Sequence, residues 1–162
     1  MEKPKRYTPH IDFPPYAFVP GRNPHPEKVG GHMEGVELKL SALNPQYPLE
    51  NQDFLYAIDL YNYGFYWESH VWWEELWNIE GRKGDLADLL KALIKLAAAG
   101  VKQNLDHDSA AKGHLERSVE LLLPLSQKSD SFCGLKLNHL IDQIKELQHD
   151  GKGFKLPFLI IS

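Results

Sequence analysis

Proline divides this chain into two parts that cannot fold in the same way. Nine of the eleven prolines lie within the first 48 residues, together with four glycines. Proline removes a backbone donor and disfavours helical backbone in the residue before it, so this segment is not expected to be mainly helical. Apolar residues that a solvated linker would rarely carry are interleaved with the prolines: Tyr7, Phe13, Tyr16, Phe18 and Val19. We therefore predict an extended arm, residues 1–48, that packs on the rest of the chain, with a short strand or turn at Val36–Leu40.

From Leu49 onward the apolar residues recur at helical spacing, three and four positions apart. Glycine, aspartate and proline separate these segments, as at helix ends. We predict five helices, at Glu50–Tyr61, Phe65–Ile79, Leu86–Gln103, Ser109–Leu123 and Leu135–His149, with Asp85 capping the third and Pro124 ending the fourth. An apolar tail, Phe154–Ile161, is expected to pack back in extended form. The predicted fold class is all-α, a compact bundle in residues 49–162 wrapped by the proline-rich arm.

Charge and cysteine content exclude several classes of protein. The 162-residue chain has a net charge of −4, so it lacks the basic character typical of a nucleic-acid-binding domain. The single cysteine, Cys133, precludes an internal disulfide and is typical of a reducing compartment. No apolar run approaches the ~20 residues of a membrane span, and the first residues do not resemble a signal peptide. We expect a soluble cytoplasmic protein without nucleic-acid or membrane partners.

The charges are unevenly distributed along the body. Residues 49–80 contain seven acidic side chains and no lysine or arginine, whereas residues 81–105 contain five bases and two acids. Two interpretations remain open at this stage. Neighbouring helices of opposite charge would attract each other, although exposed ion pairs contribute only about 0–1 kcal/mol each. Alternatively, the basic segment forms part of an anion-binding site.

The second predicted helix contains all four tryptophans, between positions 67 and 77. At about 100° per residue, one stripe of this helix carries Tyr66, Trp67, His70, Trp73, Glu74 and Trp77. Because such a stripe would form a large apolar patch in water, we expect it to face the body. His70 and Glu74, one turn apart, are then either a satisfied core pair or the floor of a pocket, acting as metal ligands or as acid and base. Trp72 lies on the opposite side and needs cover from the arm or from a second copy of the chain in a homodimer.

Two segments carry a family resemblance. The run His70-x-x-x-Glu74-x-x-Trp77, preceded by Gly64-Phe-Tyr-Trp-Glu, resembles the HxxxExxW signature of the uncharacterised family called domain of unknown function 309. The run Leu90-Lys-Ala-Leu-Ile-Lys-Leu-Ala-Ala-Ala99 is similar to the second block of that family, with Lys91, Ala92 and Lys95 where the family usually has glutamines and a glycine. The resemblance covers about residues 52–122. It implies a compact helical bundle and no particular reaction.

The arm contributes two further histidines with constrained backbones. Prolines flank His25 on both sides, and Gly30-Gly precedes His32. Rigid placement of imidazoles suits a metal site, although such histidines can also simply bond to carbonyl groups. If the arm crosses the aromatic stripe, His25 and His32 would meet His70 and Glu74, giving three nitrogens and one oxygen suited to zinc, iron or manganese. His114, in the fourth helix, is expected to be a half-buried bundle histidine.

Two functions of different class follow. The favoured one is a binding module for a small ligand or a peptide partner, using the aromatic set Trp67, His70, Trp73, Glu74 and Trp77. The alternative is a metal-dependent, hydrolase-like enzyme with a divalent transition metal on His25, His32, His70 and Glu74. The binding module is preferred because no complete catalytic set stands in one stretch of the sequence.

Overall fold

Five α-helices follow a short 3₁₀ helix at Pro48–Glu50 in the computed structural model, which describes residues 3–149 and 154–162. The helices are α1 (Gln52–Asn62), α2 (Tyr66–Ile79), α3 (Asp85–Asn104), α4 (Asp108–Lys128) and α5 (Leu137–His149). Each helix packs against the next one along the chain. A short antiparallel pair, β1 (Ser131–Phe132) and β2 (Leu135–Lys136), precedes α5. The predicted all-α class with five helices is confirmed.

The core is built around α3, which packs against α2 and against α4. Buried residues occur almost all the way round this helix: Leu86, Ala87, Leu89, Leu90, Ala92, Leu93, Ile94, Leu96, Ala97, Ala99 and Gly100. Gly100 lets α2 approach, because a Cβ at this position would lie only 2.4 Å from Cγ of Tyr66. The Tyr66 ring in turn packs edge-on against Tyr61 of α1, with centroids 5.5 Å apart. This close contact therefore links the first three helices.

Most helix boundaries differ from the sequence prediction by one or two residues, and the end of α4 differs by five. α4 does not end at Pro124 but continues to Lys128. Proline inside a helix costs about 3 kcal/mol, but Leu125 is buried in the next position and Lys128 pairs with Asp85 at 2.8 Å, which favours continuation. Asp85 is thus an ion-pair partner in the first turn of α3 rather than its cap, which is Gly84. The predicted start of the fifth helix, at Leu135, instead belongs to β2.

The arm lies on the body as predicted and is held by one buried carboxylate. Residues 3–47 contain no helix or strand, and the strand or turn predicted at Val36–Leu40 is wrong, because the turn observed here, Met33–Val36, ends where that segment begins. Asp59 of α1 is fully buried and accepts hydrogen bonds from Arg6 Nε, from the backbone N–H groups of Tyr7 and Thr8, and from Thr8 Oγ1, at 2.6–3.0 Å. Buried charges are tolerated when they are paired in this way. Asp59 therefore fixes the start of the arm against the bundle.

The arm also covers Trp72, the tryptophan that sequence alone left without a partner. Trp72 is half-buried and packs edge-on against Tyr56, with centroids 5.5 Å apart. Arm residues Pro14, Pro15 and Met33 line the same small cavity of about 200 Å³. This placement favours cover by the arm over cover by a second subunit.

The apolar tail, residues 154–162, packs back on the bundle without regular secondary structure. Tyr61 donates its hydroxyl to the carbonyl of Pro157, and the Asn62 amide bonds both backbone groups of Leu159, at 2.8–2.9 Å. Within the described ranges, the helices are too short or too polar to cross a membrane.

Candidate functional site

The residues that were predicted to form one buried stripe on α2 do not all face the core. Ser69, Trp73 and Leu76, spaced four and three residues apart, are buried toward the core. His70 and Glu74 stand one position later, about 100° further round the helix, and their side chains are 31% and 50% exposed. The expectation that His70 and Glu74 face the body is therefore wrong. Trp73, predicted to contact a ligand, is fully buried and packs against Tyr61.

His70 and Glu74 form an ion-pair contact on this open face. Nε2 of His70 lies 3.0 Å from Oε2 of Glu74. One turn further along α2, Trp77 is half-buried and its ring contacts two cations. Nζ of Lys91 lies 4.4 Å from the ring centroid, and the guanidinium of Arg82 lies 5.1 Å from it. The structure therefore brings the three signature residues together with the first lysine of α3.

Further basic groups of α3 and α4 extend this face. Lys95 stands one turn after Lys91 and is half-buried. Burial, followed by the charges of Lys91 and Arg117, lowers the pKa of Lys95. Burial also lowers the pKa of His114, and the charges of Lys95, Lys102 and His70 lower it further. We name as the motif surface the set His70, Glu74, Trp77, Lys91, Lys95, His114 and Arg117.

The motif surface lacks acidic partners for its lysines. Among the residues that the structure describes, neither Lys91 nor Lys95 forms an ion pair. Glu74 is engaged by His70, and Arg117 pairs with Glu120 at 3.0 Å on the exposed side of α4. Besides burial, which is the larger cause, repulsion from the like charges of Lys91 and Arg117 lowers the pKa of Lys95. An anion bound here would relieve this repulsion.

The buried carboxylate of α2 is Glu68, which lies under the arm. Its side chain has no exposed surface, and both oxygens accept from the backbone N–H of Phe18, at 3.0 and 3.1 Å. Burial raises the pKa of Glu68 to about 7, although the hydrogen bond from Phe18 opposes this shift. Nε2 of the nearly buried His32 is 3.5 Å from Glu68 Oε2 and has no hydrogen-bond partner in the described structure. Burial lowers the pKa of His32.

His25 and His32 both reach α2, where His25 contacts Trp67 and His32 lies against Glu68. The ring of His25 packs edge-on against Trp67 and Phe18, with centroids 5.4 and 5.2 Å away. Its Nδ1 accepts from the backbone N–H of Glu27 at 3.2 Å. Trp67, predicted as a ligand contact, therefore packs against the arm. In the described part of the chain, no three His, Cys, Asp or Glu side chains are grouped to hold a metal ion.

The sequence pattern did not predict a functional role for Glu68, or for His114 and Arg117, the α4 residues of the motif surface. Which carboxylate of α2 is buried depends on how the helix is rotated, and the contacts that set this rotation come from distant segments. Lys91 and Lys95 could have been recognised from the sequence, because their i, i+4 spacing places two side chains on one helix face.

Comparison with known proteins finds a family match in the part of the chain that carries most of the motif surface. Searches of the curated proteins and of the solved structures found no match. Residues 54–113 match the family described as "Domain of unknown function (DUF309)". This range includes most of α1, all of α2 and α3 and the start of α4, with the signature residues and both lysines, while the arm and tail lie outside it. The resemblance drawn from the two sequence blocks is thus confirmed by a family match over residues 54–113.

Proposed function

We propose that the protein is a binding module for a small phosphate-bearing ligand, which it holds at the motif surface. The observation that carries this proposal is the pair Lys91 and Lys95, half-buried one turn apart and without an acidic partner in the described structure. Arg117 and His114 are close enough to interact electrostatically with Lys95. Such a concentration of positive charge on one face favours a multiply charged anion over a neutral ligand.

The basic groups offer complementary contacts to a phosphate. Lysine acts on phosphate as a compact point charge, and arginine adds a planar fork of donors. These groups come from both α3 and α4, so a ligand that bridges the two helices would contact all of them. Because hydrogen bonds to charged groups contribute about 1.5–3 kcal/mol each, two or three of them supply about 3–9 kcal/mol, which corresponds to a site of millimolar to micromolar affinity.

The signature residues take positioning roles in this proposal. Glu74 accepts from His70 and so fixes the imidazole at the edge of the basic cluster. The ring of Trp77 holds Lys91 by a cation–π contact, which supports extension of the long lysine side chain. The ligand therefore meets side chains that are already oriented, which reduces the entropy lost on binding.

A binding module agrees better with the geometry than the metal-dependent enzyme does. The four-ligand arrangement needs His25 and His32 beside His70, whereas His25 packs on Trp67 and His32 lies against Glu68. The open His70–Glu74 contact is a polar pair that a ligand can reach without displacing the arm.

Fluorescence titration with pyrophosphate tests this proposal, because Trp77 lies in the motif surface and its ring contacts Lys91. We expect saturable quenching that weakens as ionic strength rises. Lys95→Gln should weaken binding by about tenfold, which corresponds to about 1.4 kcal/mol. The matched control is Lys145→Gln, which removes an exposed lysine of α5 and should leave binding unchanged. Equal binding by both variants, or no saturation at roughly 10 mM pyrophosphate, would contradict the proposal.

A further inference from the structure

A groove separate from the motif surface lies between the apolar tail and the start of α5. It has a volume of about 330 Å³ and is lined by Leu135, Lys136, His139, Leu140, Gln143, Phe158, Leu159, Ile160 and Ser162. Ile160 is 71% exposed, although its neighbours Leu159 and Ile161 are buried. This alternation is typical of an extended strand with one face on the core.

The backbone of the tail is hydrogen-bonded as a strand along the edge that faces Asn62. Leu159 exchanges two bonds with the side-chain amide of Asn62, as it would with a neighbouring strand. Ile161 N–H donates to the Tyr7 hydroxyl at 2.8 Å. In an extended strand the backbone groups of alternate residues point to the same side, so those of Phe158 and Ile160 point away from Asn62.

The opposite edge of the tail faces the groove and is unpaired at Phe158 and Ile160. Ser162 N–H donates to the carbonyl of Gly134 at 3.1 Å, which places this edge next to the β1–β2 turn. Within the described ranges, the backbone N–H and C=O groups of Phe158 and Ile160 form no hydrogen bond. An exposed edge of this kind is a ready template for pairing with another chain.

We propose that this groove binds an extended acidic–apolar peptide of a partner protein, which pairs as a strand with Phe158 and Ile160. The half-buried Phe158 and the exposed Ile160 offer apolar contacts for alternate side chains of such a peptide. Lys136 and His139 stand at the groove, and no aspartate or glutamate is among its described lining residues, so the charge is complementary to an acidic peptide. Main-chain bonds supply affinity in this mode of recognition, and the pockets beside the strand supply specificity.

Fluorescence anisotropy with a fluorescein-labelled peptide of alternating glutamate and valine tests the proposal. We expect saturable binding that is lost with a peptide of alternating lysine and valine. Ile160→Pro removes the edge donor while the bonds of Leu159 and Ile161 remain, and proline is compatible with an edge strand. This variant should bind the peptide at least about tenfold more weakly, whereas Ile160→Val should bind it as the unchanged protein does.

Three results would overturn the proposal. The first is no binding of the acidic peptide at roughly millimolar concentration. The second is equal binding by Ile160→Pro and Ile160→Val, provided that circular dichroism shows both to be folded. The third is self-association that Ile160→Pro abolishes, since a second copy of the chain would then occupy the edge.

Discussion

At the scale of single residues, the burial of Glu68 is the feature with the clearest energetic consequence. Its carboxyl group has no exposed surface, and burial raises its pKa from 4.5 to about 7. A carboxyl group whose pKa is higher in the folded protein than in the unfolded chain binds its proton more tightly on folding. Its contribution to stability is therefore complete below pH 4.5 and is lost as the pH rises through about 7. Since each pKa unit corresponds to about 1.4 kcal/mol, the loss reaches at most about 3 kcal/mol.

Replacing Glu68 with glutamine should remove this pH dependence. Glutamine has the same shape, and its side-chain oxygen can still accept from the N–H of Phe18. We expect Glu68→Gln to match the unchanged protein near pH 5 and to be more stable than it at pH 8, by up to about 3 kcal/mol. Urea denaturation from pH 5 to pH 8 measures the difference, and Glu146→Gln, an exposed change on α5, is the control. Parallel stability curves for Glu68→Gln and the unchanged protein would show that Glu68 has an ordinary pKa.

At the scale of elements, the approach of α2 to α3 depends on one glycine. Gly100 leaves room for the Tyr66 ring, so an added Cβ would have to displace an aromatic side chain that also contacts Tyr61. Gly113 of α4, in contrast, has nothing within 4 Å of an added Cβ. Comparing substitutions at the two glycines therefore distinguishes the intrinsic preference of a helix for alanine from the effect of packing between helices.

Alanine substitution at these two positions should change stability in opposite directions. In a helix interior alanine is favoured over glycine by about 1 kcal/mol, so Gly113→Ala should raise the melting temperature. Gly100→Ala should lower it, because overpacking typically costs about 1–3 kcal/mol. Thermal unfolding followed by circular dichroism compares them directly. A stabilising Gly100→Ala would mean that Tyr66 moves aside at little cost and that the contact does not position α2.

At the scale of the whole molecule, the local pattern predicted more of the fold than of the candidate site. Periodicity located all five helices, and the prolines marked an arm that contains no helix or strand over residues 3–47. The prediction failed where contacts between residues far apart in the sequence determine the structure. α4 passes Pro124 because Leu125 is buried, and α2 is rotated so that Glu68 rather than Glu74 is covered. Local spacing fixes which residues share a helix face but not which face meets the arm.

Contacts with distant segments also account for the outcome of the predicted histidine cluster. The arm carries His25 and His32 to the tryptophan-rich helix, where they contact Trp67 and Glu68 rather than His70. Glu68 is only two residues from His70, but on a helix two residues correspond to about 200° of rotation, so His32 meets the side of α2 away from His70. Trp67, the contact of His25, lies about one turn before His70.

His114 reports most directly on whether the cations of α3 and α4 gather to bind an anion. Burial lowers the pKa of His114 and neighbouring positive charges lower it further, so a phosphate bound among them should reverse part of the shift. Nuclear magnetic resonance titration of His114 against pH, with and without pyrophosphate, measures this change at one residue. We expect a higher pKa for His114 when pyrophosphate is present, and a smaller rise in Lys95→Gln. An unchanged His114 pKa at saturating pyrophosphate, or an equal rise in Lys95→Gln, would contradict the proposed function.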